Sequence, residues 1–158
     1  MSTSLDSTSE KTIDRTTAIL AVIASAIFLQ TLFFKFTGAP ETEHIFSTFS
    51  QWAEGFGAAF LFSRPGPLGP IGSGVVELAA SLLLLAGTFV RRWRRLQVAG
   101  AALAVAMMVG AVTLHFITPL GLEVLGDGGL LFAMACTALL SGVVIVVLRR
   151  DLIVRRRS

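Results

Sequence analysis

The chain of 158 residues contains a single cysteine, Cys136, and no second thiol with which it could pair. An intramolecular disulfide and a Cys-x-x-Cys exchange site are therefore both excluded. Charged residues are also scarce, at 15% of the sequence, whereas apolar residues make up 54% and the mean hydropathy is +0.78. This composition excludes an ordinary soluble domain and predicts one compact membrane domain.

The formal net charge of +3 does not indicate a nucleic-acid partner, because the basic residues adjoin apolar runs and no recognition motif is present. Anionic lipid headgroups are instead the predicted partners of these side chains. The arginines concerned are Arg91, Arg92, Arg94 and Arg95, together with Arg149, Arg150, Arg155, Arg156 and Arg157 at the C-terminal end.

Four apolar runs are long enough to cross a bilayer, which takes roughly 20 residues, and none alternates as a β-strand would. We therefore predict an all-α fold, an integral membrane four-helix bundle over residues 16–148. A polar segment, 1–15, predicted to be disordered, precedes it, and a basic tail, 149–158, follows it. The four spans are residues 16–36, 68–90, 96–117 and 128–148.

Arginines orient these spans. They cluster between spans two and three and after span four, whereas residues 118–127 contain no lysine or arginine. Because cytoplasmic loops carry the excess of basic residues, the pattern places both termini in the cytoplasm and the protein in the inner membrane. Lys11 and Arg15, before the first span, agree with this orientation.

The first outer loop has the composition of a further helix. Pro40 suits the first turn of such a helix, and Glu41 and Glu43 favour its N-terminus. Apolar residues, many of them aromatic, then recur at spacings of three and four up to Phe60. We predict an amphipathic helix that lies on the outer membrane surface or caps the bundle. A stripe of aromatic residues that packs into the core is the alternative.

Small residues four positions apart predict close helix contacts in the third and fourth spans. The residues are Gly100 with Ala104, Ala106 with Gly110, and the series Ala133, Thr137 and Ser141.

Three ionisable residues lie within or at the ends of the spans, where a charge costs about 2.5–3.5 kcal/mol at the bilayer centre. These are Lys35, Glu77 and His115, and the direction of the spans places all three in the outer half. Glu77 and His115 are the candidate catalytic residues. Lys35 is a candidate ligand-binding residue, as are the hydroxyl residues that share these helix faces, Thr31, Ser73 and Ser81. No metal-ligand spacing accompanies them.

Two arrangements of Lys35 and Glu77 are open at this point. If they meet, the pair is partly neutralised and locks the helices together. If they do not, a carboxyl group buried alone favours its protonated form, and a histidine nearby would complete a proton-coupled site. A structural role for all three residues, with Lys35 as an interfacial anchor, is the alternative to a site.

Several segments resemble the DoxX and DoxX-like family of small membrane proteins. The segments are 34–41 (FKFTGAPE), 74–78 (GVVEL), 82–87 (LLLLAG), 100–102 (GAA) and the pair Met107-Met108 before His115. The Lys-x-Thr-Gly-x-Pro-Glu pattern that starts at Lys35 is the most specific, and the resemblance covers about residues 17–148. It implies a four-helix bundle with a candidate site at Lys35, Glu77 and His115.

The resemblance also implies a function. The family takes its name from a subunit associated with quinone-linked sulfur oxidation, and some relatives are linked to oxidoreductase complexes that handle thiols and oxidative stress. It therefore implies a membrane subunit of an oxidoreductase system, with a quinone as cofactor and other subunits as partners. Because this chain has one cysteine, it lacks the paired thiols of a thiol relay. A non-enzymatic scaffold or small transporter-like bundle is the alternative.

Overall fold

The structure, a computed structural model, describes residues 2–154, with the side chains of residues 8–90 and 92–152. Over that part of the chain it contains helices and turns and no β-strand, which confirms the all-α prediction. Short 3₁₀ turns lie at Ala59–Leu61 and Arg91–Trp93. The α-helices are α1 (Ser2–Thr37), α2 (Pro40–Glu54), α3 (Pro70–Phe89), α4 (Arg94–Ile117), α5 (Leu130–Leu148) and α6 (Asp151–Val154).

Helices α1, α3, α4 and α5 are each long and apolar enough to cross a membrane, with an 18-residue window of mean hydropathy between 1.7 and 2.6. Large apolar side chains stay exposed on these helices, among them Phe33, Leu82 and Leu140. A soluble protein rarely exposes so much apolar surface, whereas in a bilayer it contacts lipid tails. By the length and composition of its helices, the chain is a multi-pass membrane protein.

The four long helices pack as neighbours in a fixed pattern. Helix α1 packs against α3 and α5, and α4 packs against the same two helices. Their contacts form two buried apolar clusters, one above the other along the helices. The first contains Ala21, Ala24, Leu84, Ala101 and Ile145, and the second contains Phe28, Ala80, Ala104, Met108 and Ala138.

The N-terminal segment differs from its prediction. The polar composition of residues 1–15 predicts disorder, but α1 begins at Ser2 and continues without interruption to Thr37. No glycine or proline occurs before Gly38, so nothing in the local sequence stops the helix. Asp14 also forms ion pairs that hold this part of α1 against the rest of the protein.

Helix α2 begins at Pro40, as the sequence predicts, but it ends at Glu54 and not near Phe60. Gly55 and Gly57 follow it, and Gly57 has a positive φ of 69°, a conformation that ends helices. Phe49 and Ala53 of α2 are buried against Phe62 and, in the loop that follows α4, against Leu120 and Val124. Its apolar face therefore packs on protein.

The small residues of α4 divide into two groups. Gly100 and Ala104 are buried, and a Cβ atom on Gly100 would lie 2.7 Å from the Leu84 backbone nitrogen, so this contact with α3 is as close as predicted. By contrast, Ala106 and Gly110 are exposed, and a Cβ on Gly110 would meet nothing within 4 Å. In α5, Ser141 is buried as expected, whereas Ala133 and Thr137 are exposed.

Candidate functional site

One cavity of about 450 Å³ lies where the end of α1 meets the first turns of α3 and α5, the last turns of α4 and the inner face of α2. We call it the main cavity. Its lining is predominantly apolar, with phenylalanine, methionine, leucine and isoleucine side chains from α1, α2, α4 and α5. Its polar lining includes Lys35, Glu77 and His115, together with Thr31 and Ser73. Five of the six predicted site residues therefore line one space.

Lys35 and Glu77 meet in this cavity. The Nζ atom of Lys35 lies 2.5 Å from Oε1 of Glu77, and the two side chains are only 15% and 5% exposed. Thr31, one turn before Lys35 on the same face of α1, lies with its hydroxyl 3.2 Å from Oε2 of Glu77. Of the two open arrangements, the structure has the ion pair, which ties α1 to α3.

The ion pair leaves hydrogen-bond donors available to the cavity. A lysine ammonium group carries three N–H donors, and Lys35 gives one of them to Glu77. Among the described residues, no other acceptor hydrogen-bonds Nζ. A ligand in the main cavity can therefore accept a hydrogen bond from Lys35 while the lysine keeps its carboxylate partner.

His115 comes to the same cavity from the last turn of α4. Its Nδ1 atom lies 2.6 Å from the carbonyl oxygen of Gly121, and because a carbonyl only accepts, Nδ1 carries a proton. The ring packs edge-on against Phe132, with centroids 5.2 Å apart, and the residue is 8% exposed. Within the described part of the chain, no group hydrogen-bonds Nε2. The imidazole is thus held in place by one nitrogen while the other stays available.

The two predicted serines have different positions. Ser73 lines the cavity and is 7% exposed, with its hydroxyl 3.4 Å from the Pro70 carbonyl oxygen. Ser81 does not line it. Its hydroxyl is fully buried and donates to the backbone carbonyl of Glu77 at 2.9 Å, one turn back along α3. Such a bond satisfies a serine within its own helix, and the structure therefore does not bring Ser81 together with the other predicted site residues.

Asp127 lines the cavity although it is not among the predicted site residues. Its Oδ1 atom accepts from the backbone N–H groups of Val124 and Gly129, both at 2.9 Å, and Oδ2 accepts from Leu131 at 2.8 Å. Burial would raise the pKa of this carboxyl, but the three donors and the nearby His115 outweigh it and lower the pKa below its ordinary value of 3.8. An ionised carboxylate therefore begins α5 beside His115.

A sequence signal for Asp127 exists. It stands directly before two glycines and an apolar run, and an aspartate just before an apolar run marks the start of a helix. Two polar side chains of α2, Glu41 and Thr42, also line the cavity. These two side chains reach the cavity only because of where α2 packs, and the sequence of α2 does not predict that position.

A second polar cluster lies at the other end of the helices. Asp14 of α1 pairs with Arg94 of α4 and, at 3.0 Å, with Arg149, which follows α5. The Nε group of Arg149 donates to the Gln97 side chain at 3.0 Å, and its terminal NH2 donates to the Thr17 hydroxyl at 2.8 Å. Gln97 and Thr17 are fully buried, and Arg149 is 8% exposed.

This cluster changes the roles of two predicted headgroup ligands. Arg94 and Arg149 bind groups of the protein itself, whereas Arg92, Arg95 and Arg150 are exposed and stay predicted headgroup partners. The remaining arginines named for that role, the side chain of Arg91 and residues 155–157, lie outside the described residues.

Comparison with known proteins identifies no relative of the chain. No family model matches the chain, and neither a curated protein nor a solved structure matches it. The resemblance to the DoxX-like family therefore stays a prediction that depends on the segments quoted above. Within the described residues, no group of three or more histidine, cysteine, aspartate or glutamate side chains could hold a metal ion.

Proposed function

We propose that α1, α3, α4 and α5 form a DoxX-like four-helix bundle that spans an inner membrane with both termini in the cytoplasm. The exposed arginines Arg92, Arg95 and Arg150 support this orientation, because they all lie at the end opposite the main cavity. In this orientation the main cavity lies in the outer half of the bundle. Helix α2 is amphipathic and covers that end, with Phe49 and Ala53 on its buried face.

The proposed function of the bundle is to bind an amphiphilic small molecule as a membrane subunit of an oxidoreductase system. One observation carries the binding proposal: a largely apolar cavity of about 450 Å³ ends at a buried ion pair and an imidazole. Small-molecule sites are typically about 300–1,000 Å³ in volume, mostly apolar, with a few placed polar groups. A molecule with an apolar tail and a polar head suits this lining.

A quinone fits the donor set of the cavity. The N–H groups of Lys35 that Glu77 does not use would hold one of its carbonyl oxygens. When the His115 ring carries a second proton, as an imidazolium, its Nε2–H would hold the other. When bound, a quinone supplies a carrier of two electrons and two protons. The chain's own part is to bind and orient the ring, to exclude water with the apolar lining, and to give or take a proton at Nε2.

Glu77 has a positioning role in this proposal. The sequence makes Glu77 a candidate to accept or relay a proton, but Lys35 and Thr31 contact its two oxygens. The contact with the Glu77 carboxyl group keeps the amino group of Lys35 at the cavity. Proton transfer therefore falls to His115, whose Nε2 atom has no hydrogen-bond partner among the described residues.

The binding proposal is tested by titrating the purified protein in mild detergent with a short-tailed quinone. Gly110 lines the main cavity, and a Cβ atom there would meet nothing within 4 Å. The Gly110→Leu side chain therefore adds bulk to the cavity without a close contact at its own Cβ atom. We expect affinity to fall about tenfold, the effect of about 1.4 kcal/mol of crowding. Ala102→Leu is the control, because Ala102 is exposed on α4 and does not line the cavity. Equal affinities for the two variants would refute the assignment of the cavity.

Two substitutions of His115 distinguish the roles of its two ring nitrogens. In His115→Asn the side-chain amide can still donate to Gly121, but nothing replaces Nε2, whereas in His115→Gln the amide extends toward the position of Nε2. We expect the asparagine variant to bind the quinone about tenfold more weakly, the loss of one hydrogen bond, and the glutamine variant to keep most of the affinity. A pattern in the opposite order contradicts the role given to Nε2.

A scaffold without ligand is the second candidate function, and the pairing of Lys35 with Glu77 favours it. In that case the ion pair only fixes α1 against α3. The Glu77→Gln variant separates the two functions, since a folded protein that no longer binds the quinone supports the site. Unchanged binding with reduced stability supports the scaffold.

A further inference from the structure

A second pocket, of about 380 Å³, opens at the end of the helices opposite the main cavity. We call it the basic pocket. It lies between the first part of α1, the end of α3, the first turn of α4 and the residue that follows α5. Neither the candidate function nor the predicted site residues use it.

Positive charge dominates this pocket. Lys11, Arg15, Arg94 and Arg149 line it, and among the described residues Asp14 is the only acidic side chain in its lining. Asp14 already pairs with both Arg94 and Arg149, so it neutralises one charge of the four. The charged side chains that line the pocket therefore carry a net positive charge.

The inner wall of the pocket is rigid. Arg149 is 8% exposed, forms an ion pair with Asp14 and donates hydrogen bonds to Gln97 and Thr17, so its position is fixed from three sides. The Gln97 amide in turn donates to the Thr88 hydroxyl at 2.8 Å. A guanidinium group carries five N–H donors, and Arg94 is bonded to Asp14 through one of its two terminal nitrogens. The wall therefore presents preorganised donors.

The mouth of the pocket is formed by two cations that have no such partners. Lys11 and Arg15 are one helical turn apart on α1, are both exposed, and make no hydrogen bond or ion pair with a described side chain. Like charges on adjacent turns repel each other unless an anion lies between them. Their placement over a wall of arginines suits a group with several negatively charged oxygens.

We propose that the basic pocket binds a phosphate group, with Lys11 and Arg15 at the mouth and Arg94 at the wall. Arginine and lysine are the usual ligands of phosphate oxygens in proteins, and basic recesses between membrane helices on the cytoplasmic side bind anionic lipid headgroups. The phosphate belongs to a lipid headgroup or to a soluble phosphate compound. This site differs from the diffuse attraction of exposed arginines to a membrane, because its residues are fixed around one pocket.

The test uses the full chain in mild detergent and two kinds of probe. Phosphatidylglycerol is titrated against phosphatidylcholine as the lipid pair, with retained lipid counted by native mass spectrometry, and pyrophosphate is the soluble probe, followed by the unfolding midpoint. The double variant Lys11→Gln with Arg15→Gln removes two charges from the mouth without touching the buried cluster. The double variant Arg92→Gln with Arg95→Gln removes two exposed charges outside the pocket as a matched control.

We expect saturable binding of phosphatidylglycerol or of pyrophosphate that weakens about 30-fold in the mouth variant, at about 1 kcal/mol per basic residue. The control variant loses only the diffuse attraction of two exposed arginines, so its saturable binding should weaken much less. Binding of the lipid alone identifies a headgroup, and binding of both probes identifies a site for phosphate compounds in general. Equal weakening in the two double variants, or the absence of saturation with either probe, overturns the proposal. Lipid counting stays decisive even if one variant is less stable.

Discussion

The ion pair between Lys35 and Glu77 permits a quantitative test of how the bundle is held together. The variants are Lys35→Met, which keeps the length of the stem, Glu77→Gln, which keeps the shape of the head, and the two combined. Each single variant leaves one polar or charged group in a site that is at most 15% exposed. The combined variant leaves no charge there, and the difference between the sum of the singles and the double measures the coupling.

The size of the coupling follows from where the pair lies. Removing one partner of a buried ion pair costs about 3–5 kcal/mol in soluble proteins, and interhelical hydrogen bonds in a membrane protein average about 0.6 kcal/mol. This pair is charged and nearly desolvated, but the lysine can move toward water when its partner is lost. We therefore expect a coupling of about 2 kcal/mol, with each single variant destabilised by about 2–3 kcal/mol.

The assay is unfolding in mixed micelles as the fraction of denaturing detergent rises, followed by circular dichroism. Glu43 and Arg64 supply the control, since they form an ion pair at 2.8 Å whose side chains are 61% and 48% exposed. A pair so exposed contributes about 0–1 kcal/mol, and its cycle should show coupling at the low end of that range. If the Lys35 and Glu77 substitutions add to within about 0.5 kcal/mol, the reasoning fails, because the pair then does not hold α1 to α3.

Three further substitutions have expected outcomes. Asp127→Ala should lower the free energy of unfolding by about 1 kcal/mol, the usual value of a helix cap. The pKa of the Asp127 carboxyl is lowered in the folded protein, so the loss of stability in Asp127→Ala should be fully present above pH 3.8. It should disappear as the pH falls through the lower pKa of the folded state. Unfolding midpoints of the variant and the wild type, measured against pH, check this. Arg149→Met should lower the free energy of unfolding by about 3 kcal/mol in the same micelle assay, since it removes a buried partner of both Asp14 and Gln97. Arg150→Met, at an exposed site, is the control and should leave the free energy of unfolding almost unchanged. Gly87→Ala should reduce stability most of the three, because the added Cβ would lie 2.1 Å from the Gln97 backbone nitrogen. We expect a loss of folded protein on size-exclusion chromatography.

Most of the fold could be predicted because long apolar runs have few alternatives in a membrane. The predicted bounds of the last three spans lie within two residues of α3, α4 and α5. The start of the first span differs by a wider margin, since composition reports where a helix enters lipid and not where it begins. The predicted end of α2 is wrong because the aromatic spacing continues through Gly55 and Gly57, although these glycines end the helix.

The candidate site was predictable in part for the same reason. An ionisable residue in an apolar span must turn inward, and the direction of the spans then places Lys35, Glu77 and His115 at one end. Asp127 and Arg149 gave a much weaker signal, because polar residues in loops and beyond helix ends are ordinary. Only the packing of the helices shows that Arg149 turns back into the protein and that Asp127 lies beside His115.

Helix α1 contributes a charged residue to each polar cluster, Lys35 at the main cavity and Asp14 at the opposite end of the helices. Asp14 and Lys35 are 21 residues apart in the sequence, about 30 Å along a helix, and each pairs with residues of other helices. Lys35 joins α1 to α3, and Asp14 joins it to Arg94 at the start of α4 and to Arg149 at the end of α5. Apolar side chains in lipid do little to fix how far one helix slides along another. A slip of α1 by one turn, about 5.4 Å, would break the pairs at both ends, so they set the register in which the main cavity and the basic pocket exist together.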